Sequence, residues 1–543
     1  MKSYKNIKKF VLPFLTVVAM SGCSKLDEGL NGTLTNGQVA SSLGSAGTGL
    51  LLAAAYSDVA GPFTGQSGVF SLEENSTDES LVPTRGGDWD DNGVWRVIHS
   101  HTWNADHGQI RDVFNDLNKI NFDATNVLGF NPTKSQAAEA KFIRALSLYY
   151  LLDLYGQYPF RNPGDNLLNA PVVKSGVDGI NFIISELIAS LPDLPTSNAN
   201  TLANPDAARM LLMKCYLNKG MYVNRVAPTF DAADMAQVIA LGNTIINSGK
   251  YSFTTNYFDN FSPDNNVKSK EGIFVYPNKS GVSANHAGIE SRWNMTLHYN
   301  SYTPNNPNAG WNGFSTISDF YNSFNTTATP TAFGPADTLV DGRIGGRYYA
   351  GATNISGLRP GLLVGQQFNE NGVAIKDRKG APLAYDPTIA ANMIETGSNL
   401  EVTGIRVVKY VPDYAFYGGP AGNYVMIFRY ADVALMVAEA QMRTGATNAS
   451  LTLVNQLRVA RGAAPFLTLP LVNTNNVDDA NTFLAERGRE LYWESHRRTD
   501  LLRFGVFLKP WGLKPTDNPK NLFFPVPNQA LAANPNLKQN PGY

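Results

Sequence analysis

The sequence is poor in cysteine and in charge. Its 543 residues include two cysteines, Cys23 and Cys215, which excludes a disulfide framework and a zinc site built from paired cysteines. Lys and Arg number 44 against 45 Asp and Glu, so the chain has no basic excess to attract nucleic acid or anionic lipid. Charged residues make up 16% of the chain and hydrophobic residues 43%, which is enough apolar material for a core.

Long apolar runs and familiar catalytic motifs are also missing. No segment approaches the run of about 18 apolar residues that a membrane-spanning helix needs. The sequence contains no Ser-His-Asp, P-loop or HExxH pattern. Cys215 lies in "ARMLLMKCYLNKG", an apolar helical pattern, and is expected to be a buried small side chain.

The N-terminus has the form of a bacterial lipoprotein signal. Four lysines precede the short apolar stretch "FVLPFLTVVAM", which ends at "SGCS". This stretch is too short to span a bilayer but suits a signal peptide. It resembles a lipobox, which implies that residues 1–22 are removed and that Cys23 is lipidated. The alternative is an ordinary secretory signal with an incidental cysteine.

Helical patterns occupy the early and late parts of the chain. Apolar residues recur at helical spacing and stop at glycine or proline. In "NPDAARMLLMKCYLNKG", Asn204 is a predicted N-cap and Pro205 occupies the first turn. The other segments are "SQAAEAKFIRALSLYYLLDLYGQYPF", "DAADMAQVIALGNTIINSG", "RYADVALMVAEAQMRTG", "ASLTLVNQLRVARG" and "FLAERGRELYWESHRRTDLLRFG". Each is interpreted as one helix, and their glycine ends and small contact residues favour tetratricopeptide-like pairs.

A loop-rich insertion interrupts this helical scaffold. Residues 251–425 are rich in Asn, Thr, Gly, Pro and aromatics, and the runs "GIFVY" and "TGIRVVKY" are interpreted as strands of short β-hairpins. The predicted organisation is a mainly α scaffold over 23–250, with an early binding loop at 71–104, and over 426–543. Because binding residues usually lie in loops on a rigid scaffold, the insertion is predicted to bind the ligand.

Three segments resemble the SusD/RagB family. They are "EAKFIRALSLYYLLDLYGQYPF", "RYADVALMVAEAQMRTG" and "ERGRELYWESHRRTDLLRFG". The resemblance implies a SusD-like α-helical fold with tetratricopeptide-like pairs, and an outer-membrane lipoprotein that faces the cell exterior. It also implies capture of glycan for delivery to a SusC-like TonB-dependent transporter.

Charged residues within these segments are predicted to be structural. Their helical spacing favours ion pairs between helices and helix capping over chemistry. They are Arg144, Asp153, Arg429, Asp432, Glu439, Glu486, Arg487, Glu490, Glu494, Arg497, Asp500 and Arg503.

Tryptophans in polar loops are the predicted glycan-binding residues. Trp89 lies in "GGDWDDNG", Trp311 in "NAGWNGF" and Trp293 between Arg292 and Asn294. Burying such rings would carry polar backbone into the core, which is costly. Because a sugar ring stacks on an indole face while polar side chains bond its hydroxyls, these three tryptophans are predicted to form a platform.

Further ligand-binding residues are predicted around the platform. Trp95 has apolar neighbours, so it either touches ligand or anchors its loop; Trp103 follows the same argument, and Trp493 and Trp511 are expected to be packed. The remaining predicted ligand-binding residues are Asp78, Arg85, Asp88, Asn92, Tyr299 and Tyr302. The low charge favours a neutral, extended polysaccharide.

Two metal sites are alternatives to this interpretation. "DWDDNG" places Asp88, Asp90, Asn92 and Gly93 at the spacing of half a calcium loop, but His99 occupies the position where a bidentate Glu is required. His99, His101 and His107 lie within nine residues but lack a clear third ligand on the same face. No cofactor is therefore expected, with calcium as the remaining alternative.

Two other functions remain as alternatives. Peptide capture, as in a RagB-like protein, would favour apolar pockets over an exposed indole plane. A surface glycoside hydrolase would need two carboxyls at a fixed separation, for which the candidates are Glu73, Glu74, Asp78, Glu79, Asp88, Asp90 and Asp91. Because acidic loops also suit hydroxyl recognition, we expect a binding protein and not an enzyme.

Overall fold

The computed structural model describes residues 36–282, 288–301, 310–324, 341–345, 360–368, 373–413 and 420–543. Its α-helices are α1 (Asn36–Asp58), α2 (Ala60–Phe63), α3 (Val69–Asn75), α4 (Val94–His99), α5 (Gly108–Gly129), α6 (Lys134–Tyr155), α7 (Gly176–Ser190), α8 (Pro205–Val223), α9 (Ala232–Ile246), α10 (Asn265–Lys268), α11 (Ser291–Asn294), α12 (Ser318–Asn322), α13 (Tyr430–Arg443), α14 (Thr447–Ala460), α15 (Phe483–Leu491), α16 (Arg497–Arg503) and α17 (Asn528–Ala533). Its strands are β1 (Thr84–Arg85), β2 (Gln157–Phe160), β3 (Val172–Ser175), β4 (Gly272–Tyr276), β5 (Gly361–Leu363), β6 (Gly365–Gln366), β7 (Ala384–Tyr385), β8 (Ile394–Glu395), β9 (Arg406–Val408) and β10 (Val425–Arg429).

A scaffold of successively packed helices carries the fold. Helices α5 to α9 each pack against the next, and α13 then packs against α8, α9 and α14. This arrangement confirms the mainly α fold. Among the ranges that the structure describes, no helix is both long and apolar enough to cross a membrane.

Local sequence signals explain where the main scaffold helices begin and end. Asn204 accepts hydrogen bonds from the backbone amides of Asp206 and Ala207, so it caps α8 as predicted. A capping box joins Thr133 and Gln136 at the start of α6. That helix ends at Gly156, whose φ of 73° is a left-handed conformation that glycine adopts without strain.

The last predicted helix is divided into two. Between α15 and α16, Trp493 and Ser495 have φ values of 58° and 64°, which a continuous helix does not allow. Helix α3 stabilises this break, because Glu74 Oε1 accepts a hydrogen bond of 2.6 Å from the Ser495 amide. The Trp493 indole donates to the carbonyl oxygen of Glu79 at 3.0 Å. Long-range hydrogen bonds therefore override the local helical pattern.

The strands of the insertion are short and are paired over long distances. The predicted strand at 272–276 is β4, but it pairs with β10, and β9 pairs with β5. Neither pair is a local hairpin, whereas β6 and β7 do form a small antiparallel pair. The insertion is consequently tied to the scaffold rather than projecting from it.

Buried ion pairs join the scaffold to the insertion. Arg429 donates to Glu490 at 2.7 Å and to Glu271 at 2.9 Å, and all three side chains are buried. Arg503 donates to Glu439 at 2.7 Å. A buried ion needs a partner. Each of these buried charges has one, which agrees with the structural role that the sequence predicts for them.

Candidate functional site

The early binding loop makes a tight, exposed turn after β1. Strand β1 pairs in parallel with β8, and the chain reverses at Gly86 and Gly87 so that the Arg85 amide donates to Asp88 O at 2.9 Å. Trp89 and Asn92 then adopt φ values of 58° and 55°, which are unusual for residues other than glycine. This turn places Asp88 and Asn92 at the surface.

Trp89 joins the early loop to the insertion. Its indole Nε1 donates to the carbonyl oxygen of Trp311 at 2.7 Å. The ring is half-buried, packs edge-to-face on Trp95 and Phe314, and lies so close to Gly313 that a Cβ there would approach ring atom Cε2 to 2.3 Å. Trp89 therefore supports Trp311, and the Trp89 ring itself is partly exposed.

Trp311 is the most exposed tryptophan of the predicted platform. Its side chain is 39% exposed. The surrounding backbone is anchored, because the Trp311 amide donates to Asn294 O at 2.6 Å and the Asn312 amide donates to Leu297 O at 2.8 Å. An exposed ring on an anchored backbone is suited to stacking on a ligand, since little conformational entropy is lost on binding.

Tyr299 is connected to this pair of tryptophans by Asp88, which directly precedes Trp89 in the sequence. The Tyr299 hydroxyl donates to Asp88 Oδ2, and the Arg378 guanidinium covers the tyrosine ring at 3.8 Å from its centre. Burial and the neighbouring Asp88 raise the pKa of Tyr299, so its hydroxyl remains protonated. We call Trp89, Trp311, Tyr299, Asp88 and Arg378 the aromatic surface.

Glu401 fixes the position of Arg378. Its Oε1 accepts from Arg378 Nε at 2.7 Å and its Oε2 contacts His298 Nε2 at 2.8 Å. Burial is the largest single influence on the pKa of Glu401 and acts to raise it, but the hydrogen bonds from Arg378 and His298 together outweigh burial and lower the pKa. Burial lowers the pKa of His298 to about 4. Arg378 is therefore a surface cation that is already paired with Glu401.

Comparison with known proteins shows a similarity to the SusD family. A model of the SusD family matches residues 270–518. The starch-binding protein SusD of Bacteroides thetaiotaomicron is 25% identical over 526 residues, covering 90% of this chain and 88% of that protein. The chain is thus similar in sequence to the SusD family over most of its length.

Solved structures of this family share the fold. A SusD-like protein from Bacteroides fragilis NCTC 9343 is 19% identical with a TM-score of 0.67, covering 92% of this chain and 97% of that chain. A laminarin binding SusD-like protein is 18% identical with a TM-score of 0.65, covering 92% of this chain and 99% of that chain. The SusD-like fold predicted from the sequence is confirmed.

Several predicted ligand-binding residues of this SusD-like chain are buried. Trp293 is 0% exposed, so it is a core residue and cannot stack on a sugar. Trp95 is buried, and its indole donates to Asp91 Oδ2 at 2.8 Å, so it anchors the loop. Trp103 is buried as well, with its indole bonded to the Tyr543 hydroxyl at 2.5 Å.

Two predicted polar ligands also point inward. Asp78 is buried and accepts from Arg497 Nε at 2.7 Å, so its carboxylate joins α16 to the early loop. The buried Arg85 guanidinium donates to Thr403 O at 2.8 Å and to Leu400 O at 3.2 Å. Both charges are engaged within the protein, which corrects their predicted contact with sugar hydroxyls.

The exposed candidates remain predictions. Asp88 and Asn92 are exposed and Tyr299 is half-buried at the same surface. Tyr302 and Cys23, the predicted lipidation residue, lie outside the described residues. Sequence reasoning missed Arg378 and Glu401, because the segment "KDRKG" that contains Arg378 is indistinguishable from an ordinary charged turn.

The metal alternatives do not match the observed contacts. His99 bonds the carbonyl oxygens of Ser80 and Gly512 at 3.1 Å each, so it does not complete a calcium loop. His107 caps α5 while His101 contacts Asp517. Within the described ranges, no group of three or more His, Cys, Asp or Glu side chains is arranged for a metal ion.

The three glutamates among the candidate carboxylates for hydrolysis are unavailable to a substrate. Glu73, Glu74 and Glu79 are at most 1% exposed. Burial raises the pKa of Glu73 to about 8 and that of Glu74 to about 7. These acids lie in the core around α3, where no glycosidic bond can reach them.

Proposed function

We propose that this SusD-like protein captures a neutral oligosaccharide or polysaccharide on the aromatic surface. The observation that carries the proposal is the contact of Trp89 with Trp311 across 222 positions of sequence. It brings an exposed indole, a protonated tyrosine hydroxyl and two charged side chains to one surface. Aromatic rings flanked by polar groups match the apolar faces and equatorial hydroxyls of sugars.

The charges of the aromatic surface favour a neutral glycan. Asp88 accepts the Tyr299 hydroxyl and Arg378 is shared with Glu401. A uronate or sulfate would have to compete with Glu401 for Arg378 and would meet the carboxylate of Asp88. Sugar hydroxyls, in contrast, add hydrogen bonds to both groups without displacing either partner.

Binding to a panel of neutral polysaccharides tests this function. Starch and laminarin belong in the panel, because relatives of this chain are described as starch-binding and laminarin binding. Trp311→Ala and Tyr299→Ala are expected to weaken binding by about 1–3 kcal/mol each, by analogy with stacking on other flat ligands. Leu467→Ala, which removes an exposed apolar side chain elsewhere, is the matched control.

Two outcomes would overturn the proposal. One is binding that neither aromatic substitution changes, which would place the glycan elsewhere. The other is binding of peptides from a protein digest in place of every polysaccharide, which would favour the RagB-like alternative.

We further propose that a lipid on Cys23 anchors the protein at the outer membrane, where it delivers glycan to a SusC-like TonB-dependent transporter. The lipobox-like "SGCS" and the similarity to the SusD family support this. The early loop at 71–104 and the insertion at 251–425 would then carry the ligand. Cys23→Ala is expected to move the protein from the membrane to the soluble fraction; unchanged membrane retention would contradict the anchor.

A further inference from the structure

A second groove lies along α5 and shares no residue with the aromatic surface. Its volume is about 460 Å³, within the usual range for small-molecule sites. One wall is the face of α5 that carries Asn115, Asn118, Phe122 and Asn126. The others are formed by residues 159–171 and by 530–537 around α17. We call this the α5 groove.

The α5 wall combines an exposed aromatic ring with amides. Phe122 is 42% exposed, although an exposed phenylalanine loses free energy by contact with water. Asn115 and Asn126 make no side-chain hydrogen bond within the described part of the chain. The spacing of these residues with Asn118 places them on one helical face. The amides of Asn115 and Asn126 can both donate and accept, as hydroxyl groups do. Asn118 already donates through Nδ2 to Phe114 O at 2.8 Å.

A buried acceptor at the same wall lacks a donor. Asn121 Nδ2 donates to Pro159 O at 3.0 Å, but its Oδ1 is buried without a partner among the described residues. Leaving such an acceptor unpaired costs about 1–3 kcal/mol. A ligand hydroxyl that enters beside Asn121 would remove part of this cost after a small shift of the side chain.

The charges of the groove are already satisfied. Arg161 and Asp165 are the charged residues among those lining it. Arg161 donates to the carbonyl oxygens of Asn166, Leu167 and Asn169, and Asp165 accepts from the Asn162 amide at 2.7 Å. They hold the loop at 161–169, and one charge of each sign leaves the lining without a net charge. A phosphate, a uronate or a peptide terminus would therefore find no excess of counter-charge in this lining.

We propose that the α5 groove is a second carbohydrate-binding site, which takes a short neutral segment of a glycan. Phe122 contacts the apolar face of a sugar ring, and the amides of Asn115, Asn118 and Asn126 bond its hydroxyls. The class of ligand rests on the proposed function, whereas the location of this second site goes beyond it. Two sites on one protein would hold a polysaccharide at two points and raise its avidity.

Saturation-transfer NMR with maltotriose and laminaritriose at millimolar concentration tests the inference. The background is full-length mature protein carrying Trp311→Ala and Tyr299→Ala, in which the aromatic surface is disabled. This protein is expected to retain a saturation-transfer signal with at least one trisaccharide. Adding Phe122→Ala should weaken that binding by about fivefold or more, and Asn126→Ala should weaken it too.

Leu168→Ala is the matched control, since Leu168 is 93% exposed in the same loop but does not line the groove. It should leave the signal unchanged, and circular dichroism should show equal folding of all variants. A missing signal in the disabled background, or one insensitive to Phe122→Ala, overturns the second site whether or not the parent protein binds sugar. Casein hydrolysate supplies peptides as competitors. If it displaced the trisaccharide from the groove at a concentration below that of the trisaccharide, the groove would instead be a peptide site. Failure of the aromatic surface is separate, because it would appear as equal affinity of the parent and the disabled protein.

Discussion

Trp293 and Trp311 have similar local sequences and opposite environments. Trp293 is fully buried, whereas Trp311 is 39% exposed. The Trp311 amide is bonded to Asn294 O, so the residue after the buried ring helps to hold the exposed one. The difference is one of tertiary packing, which assigns a structural role to one indole and leaves the other available to a ligand.

Trp293→Ala is expected to reduce stability far more than Trp311→Ala. Removing a fully buried large ring typically costs about 3–5 kcal/mol in the free energy of unfolding. Trp311→Ala should change that free energy by less than about 1 kcal/mol, because the ring is exposed. Guanidinium denaturation of both variants measures the difference. A Trp293→Ala protein that is as stable as the parent but has lost glycan binding would restore the sequence-based assignment.

Glu73 makes the stability of the protein depend on pH. Burial, followed by the negative charge of Asp153, raises its pKa to about 8 from the usual 4.5 of a glutamate. The folded state thus keeps a proton that the unfolded state has lost. Stability from this group is fully present below pH 4.5 and is lost as the pH rises through about 8.

Glu73→Gln should remove this part of the pH dependence. The parent is expected to lose stability more steeply than the variant between about pH 5 and pH 8, because Gln cannot release a proton. Denaturant midpoints at several pH values provide the comparison. The contribution of the buried histidines to the pH dependence cancels, because both proteins contain them. Parallel pH profiles for the two proteins would show that Glu73 is ionised in the fold.

At the scale of structural elements, the packing of the early loop against the insertion depends on the close contact between Gly313 and Trp89. A Cβ at Gly313 would lie 2.3 Å from Trp89 Cε2 and 2.6 Å from Trp89 Nε1, closer than atoms can approach. Trp89 would have to move, and its hydrogen bond to Trp311 would break. The orientation of the aromatic surface therefore depends on the absence of a side chain at residue 313.

Gly313→Ala is expected to weaken glycan binding by about fivefold or more while leaving the helical scaffold folded. Affinity electrophoresis on the bound polysaccharide, together with tryptophan fluorescence, measures both effects. Gly87→Ala is the control, because a Cβ at this exposed turn position meets no atom within 4 Å. Equal affinities of the two variants would contradict the coupling of Trp89 to Trp311.

The scaffold elements were largely predictable because their signals are local. The cap at Asn204 and the helix end at Gly156 follow from residue types at neighbouring positions. The break between α15 and α16 was not predictable, since it is stabilised by Glu74 and Glu79, more than four hundred positions away. The partners of β4 and β9 were missed for the same reason.

The site was predicted in part. Local polarity correctly placed Trp311 at the surface but failed for Trp293, because the polar neighbours Arg292 and Asn294 are themselves buried. Arg292 lies over the Phe70 ring at 3.6 Å, a contact that no local sequence pattern predicts. Arg378 and Glu401 were missed because their meeting with Tyr299 depends on the tertiary fold.

For the whole molecule, near-neutral charge and paired ions at the aromatic surface predict weak salt dependence. The formal net charge is −1, and Arg378 is paired with Glu401. Raising the salt from about 0.1 M to about 1 M shortens the screening length from about 10 Å to about 3 Å. Affinity for a neutral polysaccharide should change by less than about twofold over this range, as isothermal titration can measure. A much larger loss of affinity would indicate an anionic glycan.

The most direct test of the central claim is a crystal structure of the protein with an oligosaccharide from the polysaccharide that it binds best. The account predicts a sugar ring stacked on Trp311, with hydroxyl groups bonded to Asp88, Arg378 or the Tyr299 hydroxyl. Sugar density that is absent from this surface while present elsewhere on the protein would contradict the account.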